Sequence, residues 1–287
     1  MIPNVDNDAL VYLNGEHVRL GDAKVSVLDR GFIFGDGVYD VVPAYGGKPF
    51  RMDAHLARLE RSMAAIGIQC GLGRAEWERI VLDLIGRSGL GDCMAYIQVT
   101  RGVAKRDHGF PQSVEPTIFC MVSPFTRPDA ALRERGLSAI GAPDLRWLRC
   151  DIKSVSLLGN VLARQQAIEA GVDDVIQFRD GHLTEGSAAN IWVIRSGELL
   201  APPRGNLLLE GIRYSLMEEL AQECGIPFQM RAISEAEVAA ADELMLTSAT
   251  KEVLPITRYN HQPVGEGTPG PVYARLRAAY DAKIAAL

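Results

Sequence analysis

The spacing of the apolar residues changes near Asp53, and this change constrains the fold more than any single motif does. Residues 10–19 and 38–52 alternate apolar with polar side chains on either side of Asn-Gly and Gly-Gly turns, which predicts two β-hairpins in a meander. Beyond Asp53 the apolar residues recur at intervals of three and four positions, as they do on one face of a helix. The N-terminal part of the chain is therefore predicted to be α+β.

Later apolar segments and a proline-flanked stretch predict how the chain divides. Residues 93–102 and 116–125 have the composition of strands, and residues 123–129 interrupt the pattern with two prolines. The rest of the chain alternates helical and strand segments, and its length of 287 residues is near the size at which one core gives way to two. The predicted organisation is an N-terminal α+β domain over residues 1–125, a linker over 126–132 and a C-terminal domain over 133–287.

Composition excludes several classes of partner. The 36 acidic and 30 basic residues give a net charge of -6 and form no long runs, so neither nucleic acid nor an anionic membrane is an expected partner. Five scattered cysteines without a CxxC pair indicate neither a disulfide framework nor a metal site. No apolar stretch approaches the roughly 20 residues of a membrane span. A soluble cytoplasmic protein with a small-molecule ligand is expected.

Lys153 lies among small and apolar residues, just before a helix predicted to begin near Val155. Two interpretations of such a lysine are open. Its amine can extend into water from an apolar stem, or it can be held in a cleft where partial desolvation favours the neutral, nucleophilic form that makes Schiff bases with carbonyls. The second interpretation requires partners for an aldehyde cofactor elsewhere in the chain.

Other positions are candidates for such partners, although each is also compatible with an ordinary solvated residue. Glu185 lies at a strand end and precedes a run of small residues. Gly211 and Ile212 begin a predicted helix whose free N–H groups and dipole favour an anion, and residues 247–250 offer hydroxyls and backbone donors at a strand end. Arg58 falls in the first turns of a predicted helix, where it could lie at the edge of a pocket.

Six segments carry these residues in a fixed order. They are LDRGFIFGDGVYDVV (28–42), HLARL (55–59), WLRCDIKS (147–154), LTEGSAANIW (183–192), LLEGI (208–212) and DELMLTSAT (242–250). Together they resemble the class IV, branched-chain/D-amino acid family of pyridoxal 5′-phosphate (PLP) aminotransferases, and within it most of all the D-amino acid aminotransferases. The resemblance implies a two-domain fold type IV enzyme of α+β and α/β class, with a smaller N-terminal α+β domain, a C-terminal domain with a pseudo-barrel sheet, and the cofactor at the domain interface.

The resemblance also implies a role for each candidate residue. Lys153 forms the Schiff base with PLP and then moves the proton between the substrate Cα and C4′ of the cofactor. Glu185 pairs with the pyridine nitrogen, and Leu209 lies under the ring. Arg58 holds the phosphate together with backbone groups of four further residues. Those four are Ile212, Arg213, Ser248 and Ala249.

A substrate site and an assembly follow from the same resemblance. Arg106 and His108, spaced as R-x-H, match residues that D-amino acid aminotransferases send from the neighbouring subunit to hold the substrate α-carboxylate, with Tyr39 as their third partner. A homodimer that acts on amino acids and 2-oxo acids is therefore expected. Taken alone, Arg106 and His108 could equally belong to an exposed charged loop.

Several positions depart from the family pattern. A threonine or serine and then a basic residue usually follow Gly-Ile, where this chain has Arg213 and Tyr214, and Ala249 stands where D-amino acid enzymes often carry a hydroxyl. The phosphate is then expected to depend more on backbone donors. Whether the Arg213 side chain binds the cofactor or a second substrate carboxylate stays open. Trp192 and the prolines at 202–203 also differ and are interpreted as packing changes near the site.

The predicted function is transamination of D-amino acids such as D-alanine or D-glutamate, with a 2-oxo acid as acceptor. A branched-chain L-amino acid aminotransferase shares the fold but lacks the R-x-H loop, and an (R)-amine transaminase would leave Arg106 without its role. An aminodeoxychorismate lyase would eliminate pyruvate with the same lysine. A non-enzymatic PLP-binding protein would require Lys153 to be inert.

Overall fold

The computed structural model describes residues 5–287, and these form two compact units. The first contains residues up to Thr126 and the short segment Ile152–Leu157, and the second contains Arg127–Asp151 and Leu158–Leu287. The segment that carries Lys153 therefore belongs to the first unit, although it is flanked in sequence by the second. The domain boundaries predicted after residue 125 and before residue 133 stay a prediction.

Six antiparallel strands form the sheet of the first unit. They are β1 (Leu10–Leu13), β2 (Glu16–Arg19), β3 (Gly37–Tyr45), β4 (Lys48–Pro49), β5 (Cys93–Thr100) and β6 (Thr117–Pro124), in the order β2-β1-β6-β5-β3-β4. Both predicted hairpins are confirmed. Asn14 and Gly15 adopt positive φ angles at the turn between β1 and β2, and Gly46 and Gly47 do so between β3 and β4.

Three helices accompany this sheet: α1 (Arg30–Phe34), α2 (Met52–Ala65) and α3 (Arg74–Ser88). The apolar stripe predicted after the hairpins is confirmed in α2, where Leu56, Leu59 and Met63 are buried in one core with Trp77 of α3. Burial of each such side chain contributes about 1.5–3 kcal/mol. The spacing contains no signal for α1, because a helix of 5 residues is too short to establish a period.

Nine strands form the sheet of the second unit. They are β7 (Leu137–Pro143), β8 (Asp174–Arg179), β9 (His182–Gly186), β10 (Asn190–Arg195), β11 (Glu198–Ala201), β12 (Phe228–Met230), β13 (Glu243–Ser248), β14 (Glu252–Tyr259) and β15 (Gln262–Pro263). Their order is β12-β11-β10-β13-β14-β7-β8-β9, with β15 paired to β14. Contact between β9 and β10 curls the sheet into a partial barrel, so the predicted pseudo-barrel is confirmed.

Five helices accompany the second sheet: α4 (Ala130–Arg135), α5 (Leu158–Glu169), α6 (Ile212–Glu223), α7 (Glu235–Ala239) and α8 (Pro271–Ala285). One expected helix start differs from the structure. The helix expected near Val155 begins at Leu158, because Val155 instead hydrogen-bonds to the start of β3. The predicted linker contains the start of α4, which Asp129 caps by accepting from Leu132 N at 2.7 Å. No helix within residues 5–287 is long and apolar enough to span a bilayer.

Candidate active site

Lys153 is held in an extended segment of the first unit, beside β3 and α2. Its carbonyl accepts a hydrogen bond from Tyr39 N at 3.0 Å, and its own N–H donates to Ser62 Oγ at 3.3 Å. Two residues further on, Val155 N donates to Gly37 O at 3.0 Å. The backbone of Lys153 is therefore fixed between a strand and a helix, which restricts where its amine can lie.

The amine of Lys153 lies near Tyr39, Arg58 and Asp40 of the first unit. The residue as a whole is partly buried, and its Nζ is 4.2 Å from the ring centroid of Tyr39, within cation–π distance. Burial and the positive charge of Arg58 lower the pKa of Lys153 to about 7, although the negative charge of Asp40 opposes them. The structure thus places this amine where its neutral form is accessible near neutral pH.

The reactivity of Lys153 in the cofactor-free protein is expected to follow this pKa. Only the neutral amine attacks a carbonyl, so the rate of PLP addition should rise with pH, reach half its limit near pH 7 and level off above it. Stopped-flow absorbance across the neutral and alkaline range measures the profile. A midpoint near the pKa of an ordinary lysine would contradict this expectation. Lys24→Ala, which removes an exposed amine, should leave the profile unchanged.

A buried ion cluster lies close to Lys153. Asp40 accepts hydrogen bonds from Arg58 Nε and Nη2, each at 2.8 Å, and Asp40 Oδ1 is 2.7 Å from His55 Nδ1. Burial alone would raise the pKa of Asp40, but Arg58 and His55 outweigh it and hold that pKa below its usual range. His55 and Arg58 lie about one turn apart on α2, so one face of the helix presents both.

Arg58 is therefore not the exposed helix arginine that its position alone suggests. It is 6% exposed, and Asp40 orients its guanidinium. Sequence reasoning did not single out Asp40 or His55. A usable signal was the charge of Asp40 within an apolar strand, since a buried charge requires a partner.

Glu185 is buried near the end of β9 in the second unit. Its carboxylate accepts hydrogen bonds from Arg146 Nη1, from Leu209 N at 3.1 Å and from Asn190 Nδ2 at 3.4 Å. Arg146 is also paired with Asp144, at 2.7 Å between Nη2 and Oδ2. One cation and two amide donors therefore fix the carboxylate of Glu185, which is not the solvated surface residue that its position alone suggests.

The start of α6 and the residue after β13 are joined by a hydrogen bond in the second unit. Gly211 is the N-cap of α6 and has no side chain that could cap the helix. A Cβ atom there would lie 2.4 Å from Asn190 Oδ1, so this position favours glycine. Arg213 Nη2 donates to Ala249 O at 3.4 Å and joins the first turn of α6 to the residue after β13. The first turn of α6, at the positive end of the helix dipole, therefore lies near the residue that follows β13.

Arg106 and His108 lie on an exposed loop of the first unit. Arg30 anchors this loop, because its Nη1 donates to the carbonyl of Asp107 at 2.5 Å. The guanidinium carbon of Arg106 is 5.4 Å from the ring centroid of Phe34, and the ring centroids of His108 and Phe34 are 5.3 Å apart. Both side chains therefore remain on the surface, where the predicted contact with a neighbouring subunit would require them.

The fold, the residues around Lys153 in the first unit and those around Glu185 in the second define a class of protein. Residues 37–259, more than half of the chain, match the family described as amino-transferase class IV. The chain belongs to this family, and it is therefore an aminotransferase that uses PLP. The prediction made for the family and for the cofactor is confirmed.

Similar proteins include several D-alanine aminotransferases. That of Bacillus licheniformis is 38% identical over 269 residues, which are 94% of this chain and 95% of the relative. That of Staphylococcus aureus strain MSSA476 is 37% identical over 272 residues, which are 94% of this chain and 96% of the relative. A solved branched-chain amino acid aminotransferase of Escherichia coli has a TM-score of 0.91 at 24% identity, over 96% of this chain and 94% of its own. The likeness in structure confirms the fold type IV prediction.

The candidate residues fit PLP chemically. Lys153 offers an amine to an aldehyde, and Glu185 offers a carboxylate to a pyridinium nitrogen. Arg58 and the start of α6 offer positive charge and N–H donors to a phosphate. When bound, PLP supplies an electron sink for the bonds at the substrate Cα.

Proposed function

We propose that this aminotransferase acts on D-amino acids, with a 2-oxo acid such as pyruvate or 2-oxoglutarate as acceptor. The observation that carries the proposal is the identity of 37% and 38%, over 94% of the chain, to enzymes named D-alanine aminotransferases. The exposed loop with Arg106 and His108 supports it, since a guanidinium suits a carboxylate in charge and in geometry. The branched-chain enzyme of Escherichia coli, at 24% identity, supports the fold alone.

We assign the proton transfer to Lys153. With PLP bound, its amine would move the proton between the substrate Cα and C4′ of the cofactor. A pKa near 7 suits this work, because a general base is most effective when its pKa is close to the working pH. Tyr39 lies beside the amine and restricts its position. Glu185, oriented by Arg146, would hold the pyridine nitrogen of PLP and keep it protonated.

A panel of half-reactions tests the proposal. The absorbance of bound PLP is followed after addition of D-alanine, D-glutamate, L-leucine or (R)-1-phenylethylamine. Faster conversion by D-alanine or D-glutamate supports a D-amino acid aminotransferase, and faster conversion by L-leucine identifies a branched-chain enzyme. Equal rates with D-alanine and (R)-1-phenylethylamine identify an amine transaminase. Pyruvate release from aminodeoxychorismate without an amino acceptor identifies a lyase.

Arg106→Leu is expected to slow the conversion of D-alanine by roughly 10–100-fold, because hydrogen bonds that involve charged groups contribute about 1.5–3 kcal/mol. The substrate (R)-1-phenylethylamine has no carboxylate, so its rate should not fall. Lys105→Leu removes the adjacent exposed charge and serves as the matched control. Equal losses with both substrates would argue against carboxylate binding by Arg106.

We also propose that the active unit is a homodimer. Apolar side chains that are 48–83% exposed lie on α5 and on the segment of residues 145–148: Leu145, Trp147, Leu148, Leu158, Val161 and Leu162. The segment and the helix are in contact, because Gly159 of α5 packs against Arg146. A large exposed apolar surface of this kind is typical of protein interfaces. A second copy is also what Arg106 and His108 require if they serve a neighbouring site.

Leu162→Glu is expected to convert the dimer to monomers, since it places a charge within this apolar surface. Sedimentation velocity at several protein concentrations measures the change, and activity with D-alanine should fall in parallel. Leu82→Glu, at another exposed leucine on α3, is the control and should remain dimeric. Full activity from a demonstrated monomer would refute the shared site.

A further inference from the structure

Arg213 occupies an unusual place for a cation. It is 3% exposed in the first turn of α6, where the positive end of the helix dipole disfavours positive charge. Its Nε and Nη2 both donate to the phenol oxygen of Tyr280, at 3.0 and 2.8 Å, and Nη2 also donates to Ala249 O at 3.4 Å. These acceptors offset part of the cost of burying the charge, and they fix the plane of the guanidinium.

Tyr280 is itself held firmly on α8. It is fully buried, and its ring centroid lies 5.1 Å from the guanidinium carbon of Arg277. Arg277 pairs with the buried carboxylate of Glu252 at 2.7 Å, and Glu252 is the first residue of β14. The phenol oxygen that receives the Arg213 guanidinium therefore has a fixed position within the second unit.

The turn after β13 is also fixed from a second direction. Lys251 Nζ lies 2.6 Å from Asp174 Oδ2, and Asp174 Oδ1 accepts from Ser187 N at 3.1 Å. Within the turn, Ser248 Oγ accepts from Lys251 N at 3.0 Å. The turn is therefore tied to α6 and α8 through Arg213 and to the loop after Glu185 through Lys251.

We propose that Arg213 and Tyr280 are a positioning pair for the phosphate of the cofactor. The inference rests on the proposed assignment of the α6 start and the Ser248–Ala249 turn to that phosphate. The contact sets the separation of these two groups of backbone donors before the ligand arrives, so less conformational freedom is lost on binding. The guanidinium also adds positive charge at the helix start, which a bound phosphate offsets. Neither side chain moves a proton in the reaction.

Tyr280→Phe tests the pair, because it removes the phenol oxygen and retains the ring. Affinities of the cofactor-free enzyme for PLP and for pyridoxal, which lacks the phosphate, are measured by equilibrium dialysis. The substitution should weaken PLP binding about tenfold and leave pyridoxal binding unchanged, because hydrogen bonds from a charged donor are lost only at the phosphate end.

Tyr273→Phe is the matched control. Tyr273 is another buried tyrosine on α8, and its hydroxyl has no hydrogen-bond partner within the part of the chain that the structure describes. Its substitution should change neither affinity. A positioning role predicts that the ratio of PLP affinity to pyridoxal affinity falls in Tyr280→Phe alone.

An unchanged ratio of PLP affinity to pyridoxal affinity in Tyr280→Phe would overturn the inference. If both affinities fall by the same factor, the ratio is also unchanged, and the loss indicates general destabilisation. Equal affinities of the wild type for PLP and pyridoxal would instead refute the phosphate assignment of the proposed function. If Tyr280→Phe does not fold, Arg213→Lys is measured in the same way. It keeps the charge but loses the planar fork, so the ratio should again fall, and an unchanged ratio would overturn the pair.

Discussion

Lys153→Ala is expected to slow amino transfer from D-alanine by roughly 10²–10⁴-fold, the range that one general acid–base group contributes. The variant has no amine to accept the Cα proton and none to bind the cofactor covalently. Stopped-flow half-reactions measure the loss of proton transfer. Borohydride reduction followed by mass spectrometry measures the loss of covalent cofactor binding. The mass of the cofactor should be found on the wild-type chain and on Lys24→Ala but not on Lys153→Ala.

Lys153→Met separates loss of chemistry from loss of fold, because it retains the apolar stem of the side chain. Burial lowers the pKa of Lys153 to about 7, so at neutral pH the unfolded chain holds this proton more firmly than the folded chain does. The amine therefore lowers the stability of the cofactor-free protein, and Lys153→Met should unfold at no lower temperature than wild type. Undiminished half-reactions in this variant would refute the assignment of proton transfer to Lys153.

The strands and long helices could be predicted because their signals are local. The stripe of Leu56, Leu59 and Met63 identifies α2, and positive-φ residues such as Gly15 identify the hairpins. The return of residues 152–157 to the first unit could not be predicted, since it depends on hydrogen bonds to a strand more than a hundred positions earlier. Pairing between segments that are distant in the sequence produces no periodic pattern of residues from which it could be predicted.

The same limit applies to the candidate site. Taken alone, each candidate was also compatible with an ordinary solvated residue, as for Lys153, Glu185 and Arg58. Only the order of the motifs around them predicted a role for each. Arg146 precedes one of those motifs directly, yet its pairing with Glu185 joins residues 39 positions apart. The contact between Arg213 and its tyrosine partner spans 67 positions. Residues that orient a functional group from a distant segment therefore had to be read from the structure.

Glu185→Gln is expected to slow amino transfer by roughly 10²–10³-fold, the loss typical of removing one fixed electrostatic partner of a reacting centre. A carboxylate keeps the pyridine nitrogen protonated and a neutral amide does not, so the ring withdraws fewer electrons from Cα. The amide oxygen can still accept from Leu209 N and Asn190 Nδ2, and Arg146 keeps its pairing with Asp144. PLP should therefore remain bound, and the loss should fall on the chemical step.

Two further variants show whether the charge or only the contact at this position matters. Glu185→Asp keeps the charge on a shorter side chain, so it should retain more activity than Glu185→Gln if charge dominates. Glu198→Gln makes the same chemical change at a partly exposed position on β11 and should behave as wild type. Exchange of the Cα proton of D-alanine with solvent is measured beside amino transfer. Because a protonated ring nitrogen assists deprotonation at Cα, Glu185→Gln should slow both processes equally, and unimpaired exchange would refute the assigned role.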